Sequence, residues 1–433
     1  MTREDVFDAV RTVLNEHMAH PHMQGFAPEA RLNEDLYLDS VLILQIFLNL
    51  ELEYGLSMPE EAIARQELDT VEDLVALYVP KTVAPPFPMT GGTTDEGVHG
   101  EAYYDIKVHC FVSCVSDGLK RRGLDQRPFY FGVWDARFTV SDRFQLLYHS
   151  PEITQDFLRD WFQQLYRVPV REWYDPGKSK GENLATLVDL VENRPETGSV
   201  MVMLDMFHLP ERENKFNQNP FPHYLMLQKA ADPAKWFVHD PDYRWEGEIE
   251  REKVIHAIMQ PTVGGGYVFD NDAARAPAAE DLKAYFEACF IAHRNPIADA
   301  VRGIVAAHLE GRGGLTLADL APAVRELPVI TIRKYAYEHG FAFFWRALKL
   351  PAAEFETWCE EIEALVQALK GLHYACMKLS QTDDRAEAGQ VFERLDEADR
   401  LERKLKGRLG EVFDLWCEKH RLAPAMQPKR ATA

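Results

Sequence analysis

The chain has 433 residues, 46% of them hydrophobic and 27% charged, which is the balance of a globular protein long enough for two or three cores of roughly 100–200 residues each. Its 48 basic and 69 acidic side chains leave a net charge of −21, a surface that repels phosphate backbones and anionic lipid and attracts cations, so neither nucleic acid nor membrane is an expected partner. No apolar run nears the ~18 residues of a membrane span, the opening Met-Thr-Arg-Glu-Asp-Val-Phe lacks the charge pattern of a secretion signal, and six cysteines without a CxxC pair suit neither a disulfide framework nor zinc. A reduced cytoplasm is the expected compartment.

Residues 1–80 hold five basic and sixteen acidic side chains if Lys81 is counted with them, over half of the net charge. Val6, Val10 and Leu14 recur at helical spacing, Val41, Leu44, Phe47 and Leu48 mark a second amphipathic helix, and Val71, Leu74, Val75 and Tyr78 a third. This predicts a small acidic helical bundle. Residues 81–99, rich in Pro, Gly and small polar residues, predict a flexible linker.

Residues 100–275 change to a mixed α+β pattern. β-rich runs at Ser199–Asp205, Tyr224–Gln228 and Trp236–Asp240 alternate with helical segments such as Thr154–Leu165 and Ala185–Glu192. Residues 276–433 read as helix almost throughout, at Ala278–Ala292, Pro296–Leu309, Ile330–Leu348, Ala352–Leu379 and Ala386–His420.

Two constellations carry chemistry. In the first, Leu38-Asp39-Ser40-Val41 stands at the start of the second helix. Asp39-Ser40 suits an N-cap, because a side-chain oxygen there satisfies an orphan amide. The same residues, with the size and acidity of residues 1–80 and the exit Glu51-Leu-Glu-Tyr-Gly-Leu56, resemble acyl, aryl and peptidyl carrier proteins, although Val41 stands where Leu is commoner. That resemblance implies a four-helix bundle, 4′-phosphopantetheine attached to Ser40, an acyl group held as its thioester, and a phosphopantetheinyl transferase and an acyl- or aryl-activating adenylation enzyme as partners. A phosphodiester at a helix N-terminus would sit in favourable positive potential.

In the second, His109-Cys110 opens an apolar helical run, His223 starts a strand, and Asp240 ends the next one. A cysteine at a helix start feels a potential that favours thiolate, and a histidine oriented by a carboxylate activates such a sulfur. Free cysteine is also a common core residue, and fifteen histidines yield chance groupings. The order Cys, His, Asp is that of papain-like cysteine enzymes. Together with Gly-Leu-x-x-x-Pro-Phe-x-Phe-Gly at 123–132, Val202-Met-Leu-Asp-Met-Phe-His-Leu-Pro210, His223-Tyr224 and His239-Asp240-Pro241, it resembles the butirosin-type amide-forming acyltransferases, and among them siderophore condensing enzymes of the petrobactin type.

The resemblance implies a papain-like core in which Cys110 is the nucleophile, His223 the base and then acid, and Asp240 the orienter, moving an acyl group from the carrier to a small-molecule amine such as a polyamine. Asp205 is a candidate for holding the substrate ammonium, with loop capping as its alternative; Cys114, one turn beyond Cys110, reads as core. A carrier-linked thioesterase or other hydrolase, and a non-catalytic carrier scaffold, remain open as alternatives. No metal-ligand spacing such as HExxH is present.

Overall fold

The computed structural model describes residues 2–33, 35–38, 40–58, 68–79, 108–209 and 218–423. The expected linker at 81–99 lies outside the described residues.

In the N-terminal unit, helix α1 (Arg3–Thr12) starts at a reciprocal cap: the Thr2 hydroxyl accepts from the Asp5 amide and the Asp5 carboxylate accepts from the Thr2 amide. Helix α2 (Ser40–Tyr54) begins at Ser40, and α3 (Val71–Ala76) repeats the reciprocal cap with Thr70 and Asp73. Val6, Val10, Leu14, Phe47, Leu48, Val71 and Leu74 close into one apolar core. The described residues contain these three helices of the expected bundle.

The central unit is built on a six-stranded antiparallel sheet in the order β3-β8-β4-β5-β6-β7, with β3 Arg171–Glu172, β4 Gly198–Asp205, β5 Pro222–Lys229, β6 Lys235–Asp240, β7 Trp245–Glu250 and β8 Gly266–Asp270. A separate two-stranded ribbon pairs β1 (Thr139–Val140) with β2 (Leu146–Leu147). Alternation along β4 and β5 divides the apolar side chains between two cores, as the two-residue period of a strand requires. Met201, Met203, Tyr224 and Met226 join the core that contains helix α4 (Cys110–Arg121), whereas Val200, Val202, Leu225 and Leu227 join the other, closed by α6 (Lys180–Glu192) and α7 (Arg251–Ile258). Helix α5 (Asp156–Tyr166) packs its Leu158, Phe162 and Leu165 into the first core.

The C-terminal part is helical: α8 (Ala279–Cys289), α9 (Pro296–Glu310), α10 (Ala336–Leu348), α11 (Ala352–Thr382) and α12 (Ala388–Lys419). The single helix expected from Ile330 is interrupted. Leu327–Thr331 forms a short helix and Ile332–Tyr335 a tighter turn before α10 begins. Arg333 and Lys334 in that turn are buried, and their partners lie elsewhere in the chain: Lys334 reaches Asp135 and Glu402, and Arg333 reaches the Arg137 carbonyl. The sheet and the C-terminal helices share one continuous apolar core. Among the described residues no helix is long and apolar enough to cross a membrane.

Candidate active site

Cys110 is the first residue of α4, following the extended N-cap His109. A first-turn position leaves its amide without an intrahelical acceptor and exposes its sulfur to the positive end of the helix. Asp242, in the turn between β6 and β7, holds this end of the helix: its carboxylate accepts from the Ser113 hydroxyl at 2.6 Å and the His109 amide at 3.3 Å. The same turn follows directly on Asp240, so the helix start and the carboxylate are fixed to each other within three residues of chain.

His223 and Asp240 are almost wholly buried, at 3% and 0% exposure. Pairing of Met226 with His239 sets the β5–β6 register, which brings His223 diagonally across from Asp240 on the same side of the sheet. The His223 Nε2 lies 3.1 Å from each carboxylate oxygen of Asp240. Cys110 is the other side chain that acts on His223: the two line one cavity, and the sulfur favours the charged imidazole. The Tyr243 ring meets His223 edge-on at 5.3 Å, and the Tyr243 amide donates to Asp240 at 3.3 Å. Burial is the largest influence on His223 and disfavours its charged form, but Asp240 and Cys110 together outweigh it and raise its pKa well above the ordinary histidine value. The arrangement therefore stabilises imidazolium between a carboxylate and a sulfur.

One cavity opens on this group. Cys110, His109 and His223 lie on its wall with Gly132, Tyr148, Phe157, Leu158, Val329, Ile332 and Arg333. The wall is mostly apolar. Gly132 belongs here for a steric reason: a Cβ at this position would lie 2.4 Å from the Tyr285 hydroxyl, which donates to the Phe129 carbonyl.

Cys110, His223 and Asp240 are thus brought together. Cys114 is buried, with its Sγ 3.6 Å from the Tyr224 carbonyl, and burial raises its pKa well above the usual thiol value. Asp205 is not on the cavity wall; its Oδ1 accepts from the Phe207 and Phe221 amides and its Oδ2 from the Thr262 hydroxyl, which is the loop-capping alternative. Asp39 is outside the described residues, and Ser40 is placed only as the first residue of α2. Two participants escaped the sequence reading. Asp242 was visible only as the acid two residues beyond Asp240, and Arg333 only as a charge interrupting the apolar run Val329-Ile-Thr-Ile.

Fold and site together define a multidomain α+β protein in which a helix-start cysteine shares the wall of an apolar cavity with the histidine of a buried histidine–carboxylate pair. Residues 105–274 match the DUF6005 N-terminal domain and residues 280–430 the DUF6005 C-terminal domain. The chain is 41% identical over 314 residues to Petrobactin synthase of Bacillus anthracis, an alignment covering 72% of this chain and 96% of that protein. In its N-terminal region it is similar to Acyl carrier protein AsbD of the same organism, at 33% identity over 75 residues, covering 17% of this chain and 82% of that protein. The chain belongs to the petrobactin synthase family, with a carrier-like unit fused ahead of the family's characteristic part.

Proposed function

We propose that this protein is an amide-forming acyltransferase of siderophore assembly, which moves an acyl or aryl group from its own carrier domain through a papain-like Cys110–His223–Asp240 site to an amine. The observation that carries this reading is His223 held by both oxygens of buried Asp240 while lining the same apolar cavity as Cys110. The relatives supply the context: one is named for petrobactin synthesis and the other as an acyl carrier.

Ser40 begins α2, and a phosphodiester joined at the start of a 15-residue helix would sit in favourable positive potential, which supports 4′-phosphopantetheine as the group carried there. That group supplies a thiol that holds the acyl chain as a thioester on a long arm. A phosphopantetheinyl transferase would install it and an adenylation enzyme would load it, in the cytoplasm. Residues 1–80 are the carrier, 81–99 the tether, 100–275 the catalytic core and 276–433 its helical support.

His223 takes the Cys110 proton as the sulfur attacks the thioester carbonyl. The C–S bond to the carrier-borne thiol breaks, and that thiol takes the proton from His223. An amine then enters, gives a proton to His223 as its nitrogen bonds to the acyl carbon, and Cys110 leaves as thiolate with the amide formed. The apolar walls keep water from competing with the amine.

Intact-protein mass spectrometry tests this. Coexpression with a phosphopantetheinyl transferase should add one pantetheine mass at Ser40, loading should add an acyl mass that migrates to Cys110, and an amine should discharge it as amide. Amine-independent release of free acid would instead support the hydrolase, and full transfer by the Cys110→Ala variant would refute the nucleophile.

A further inference from the structure

Arg333 is a buried cation that the steps above leave idle. It is 6% exposed and belongs to the C-terminal helical part, yet lines the same cavity as Cys110 and His223. A guanidinium carries five N–H donors. Among the described residues it makes one hydrogen bond, from Nη1 to the Arg137 carbonyl at 3.4 Å, and the Tyr148 ring lies 5.9 Å away. The neighbouring carboxylates have other attachments: Asp242 accepts from Ser113 and His109, and Glu326 accepts from the Tyr148 amide at 2.7 Å. Lys334, the next residue, is locked to Asp135 and Glu402, so the backbone that carries Arg333 is fixed. A buried charge with this many unused donors is costly unless an anion arrives to receive them.

The proposed reaction generates one. When the Cys110 sulfur bonds to the carbonyl carbon, the carbonyl π pair moves to oxygen and leaves a tetrahedral oxyanion. On collapse the pair returns, and the C–S bond to the departing thiol breaks. We infer that Arg333 is a catalytic residue that donates to this oxyanion, alongside the backbone amide at the start of α4, so that residues 280–430 complete an active site whose nucleophile lies in residues 105–274. The inference rests on the acyl-transfer reading. It assigns the C-terminal part a role in the chemistry beyond packing.

The test uses the full chain, loaded at Ser40, with Arg333→Ala, Arg333→Lys and Arg333→Gln, and far-ultraviolet circular dichroism and thermal unfolding to identify variants that fold. Removing an oxyanion donor should lower the single-turnover acylation rate by about 10²–10³-fold, and Arg333→Lys should recover part of it. Alkylation of Cys110 by iodoacetamide forms no oxyanion and should change by no more than about threefold, whereas binding of an acyl aldehyde, which forms a tetrahedral hemithioacetal, should weaken in step with the acylation rate. Acylation within about threefold of the parent in a folded Arg333→Ala variant overturns the proposal. So does equal loss of alkylation, which would make Arg333 a partner of the thiolate, or loss confined to acyl groups bearing an acid. Cys110→Ala run in parallel separates the two readings: full transfer by that variant refutes the nucleophile, while a silent Arg333→Ala beside a dead Cys110→Ala refutes only the present inference.

Discussion

Two clusters of buried charge in this molecule have opposite fates. Lys334, Lys406, Asp135 and Glu402 are at most 4% exposed and neutralise one another: Lys334 meets Asp135 at 2.9 Å and Glu402 at 2.6 Å, Lys406 meets Asp135 at 2.8 Å, and Tyr337 donates to Glu402 at 2.9 Å. His223 and Asp240 are as deeply buried, but their charges are completed by a sulfur on a cavity wall. Burial and shifted ionisation mark both clusters, since burial favours neutral groups and the partners oppose it in each. What separates them is closure. Two lysines and two carboxylates leave the first cluster no unanswered charge, so it bolts the sheet unit to α12; the second ends on a nucleophile and is poised to react. A perturbed site becomes a functional candidate when one member of the network faces space that a ligand can enter.

The largest effect expected is at the open cluster. Asp240→Asn leaves the shape of the site but supplies an amide where His223 needs a carboxylate, and acyl transfer should fall on the order of 10³–10⁴-fold while the unfolding transition moves little. Stopped-flow acylation alongside denaturant unfolding would check both halves. A large stability loss with residual activity would erase the distinction between the clusters.

At the closed cluster the expectation reverses. Lys334→Met strands Asp135 and Glu402 in a low-dielectric interior, and the unfolding free energy should drop by about 3–5 kcal/mol. Urea titration gives the number. A simultaneous apolar replacement of all four charged residues should restore much of it, because the loss comes from unpaired charge.

Why was one cluster legible in the sequence and the other not? Cys110, His223 and Asp240 each stand at the end of a short element with a clear period, so the pattern of helix and strand also gives their placement. The run Trp245-Glu-Gly-Glu-Ile-Glu, which forms the edge strand β7, is half acidic and its pattern reads as solvated charge. Lys334 and Arg333 interrupt an apolar run whose helical period continues on both sides, and the partners of Lys334 are 199 and 68 residues away. Nothing local says whether such a charge is paired or points at a ligand. Asp205 fails for the converse reason: an acid at a strand end next to aromatic residues looks available, but the amides of Phe207 and Phe221 occupy it.

Desolvated neutral histidines give the next effect. His109 and His339 are held down to about 3 and His373 to about 4, with burial the leading cause in each. Their folded values lie below the unfolded value, so the unfolded chain binds more protons between those values and about pH 6.5, and stability must fall as pH drops through that window at about 1.4 kcal/mol per pH unit for each group. His223 has the opposite sign: its raised value stabilises the fold below the ordinary histidine pKa, and the benefit fades as pH rises through the folded value. His373→Leu should flatten the acid limb of an unfolding-versus-pH curve by one proton; an unchanged slope would mean that His373 is protonated in the folded state.

The smallest effect expected is where the carrier-like unit meets the enzyme. Glu51, near the end of α2, accepts from the Tyr374 hydroxyl at 2.7 Å and from Lys378 at 2.9 Å on α11, and Tyr374 and Met377 join the apolar core of the N-terminal unit. Lys378 also meets Glu387 at 3.1 Å, so the pair is part of a small, half-wet network. Glu51 is eleven residues from Ser40, a helical separation of about 16 Å, so this contact holds the unit by one end of α2 and leaves the Ser40 end clear of it. Glu51→Lys or Lys378→Glu should each loosen the contact, and the double exchange should restore it, with a coupling of no more than about 1 kcal/mol as for partly exposed pairs. The cycle is read from the midpoint of a carrier-specific unfolding probe. Additive single effects would leave the seating of the N-terminal unit to its apolar contacts with Tyr374, Met377 and Ala321.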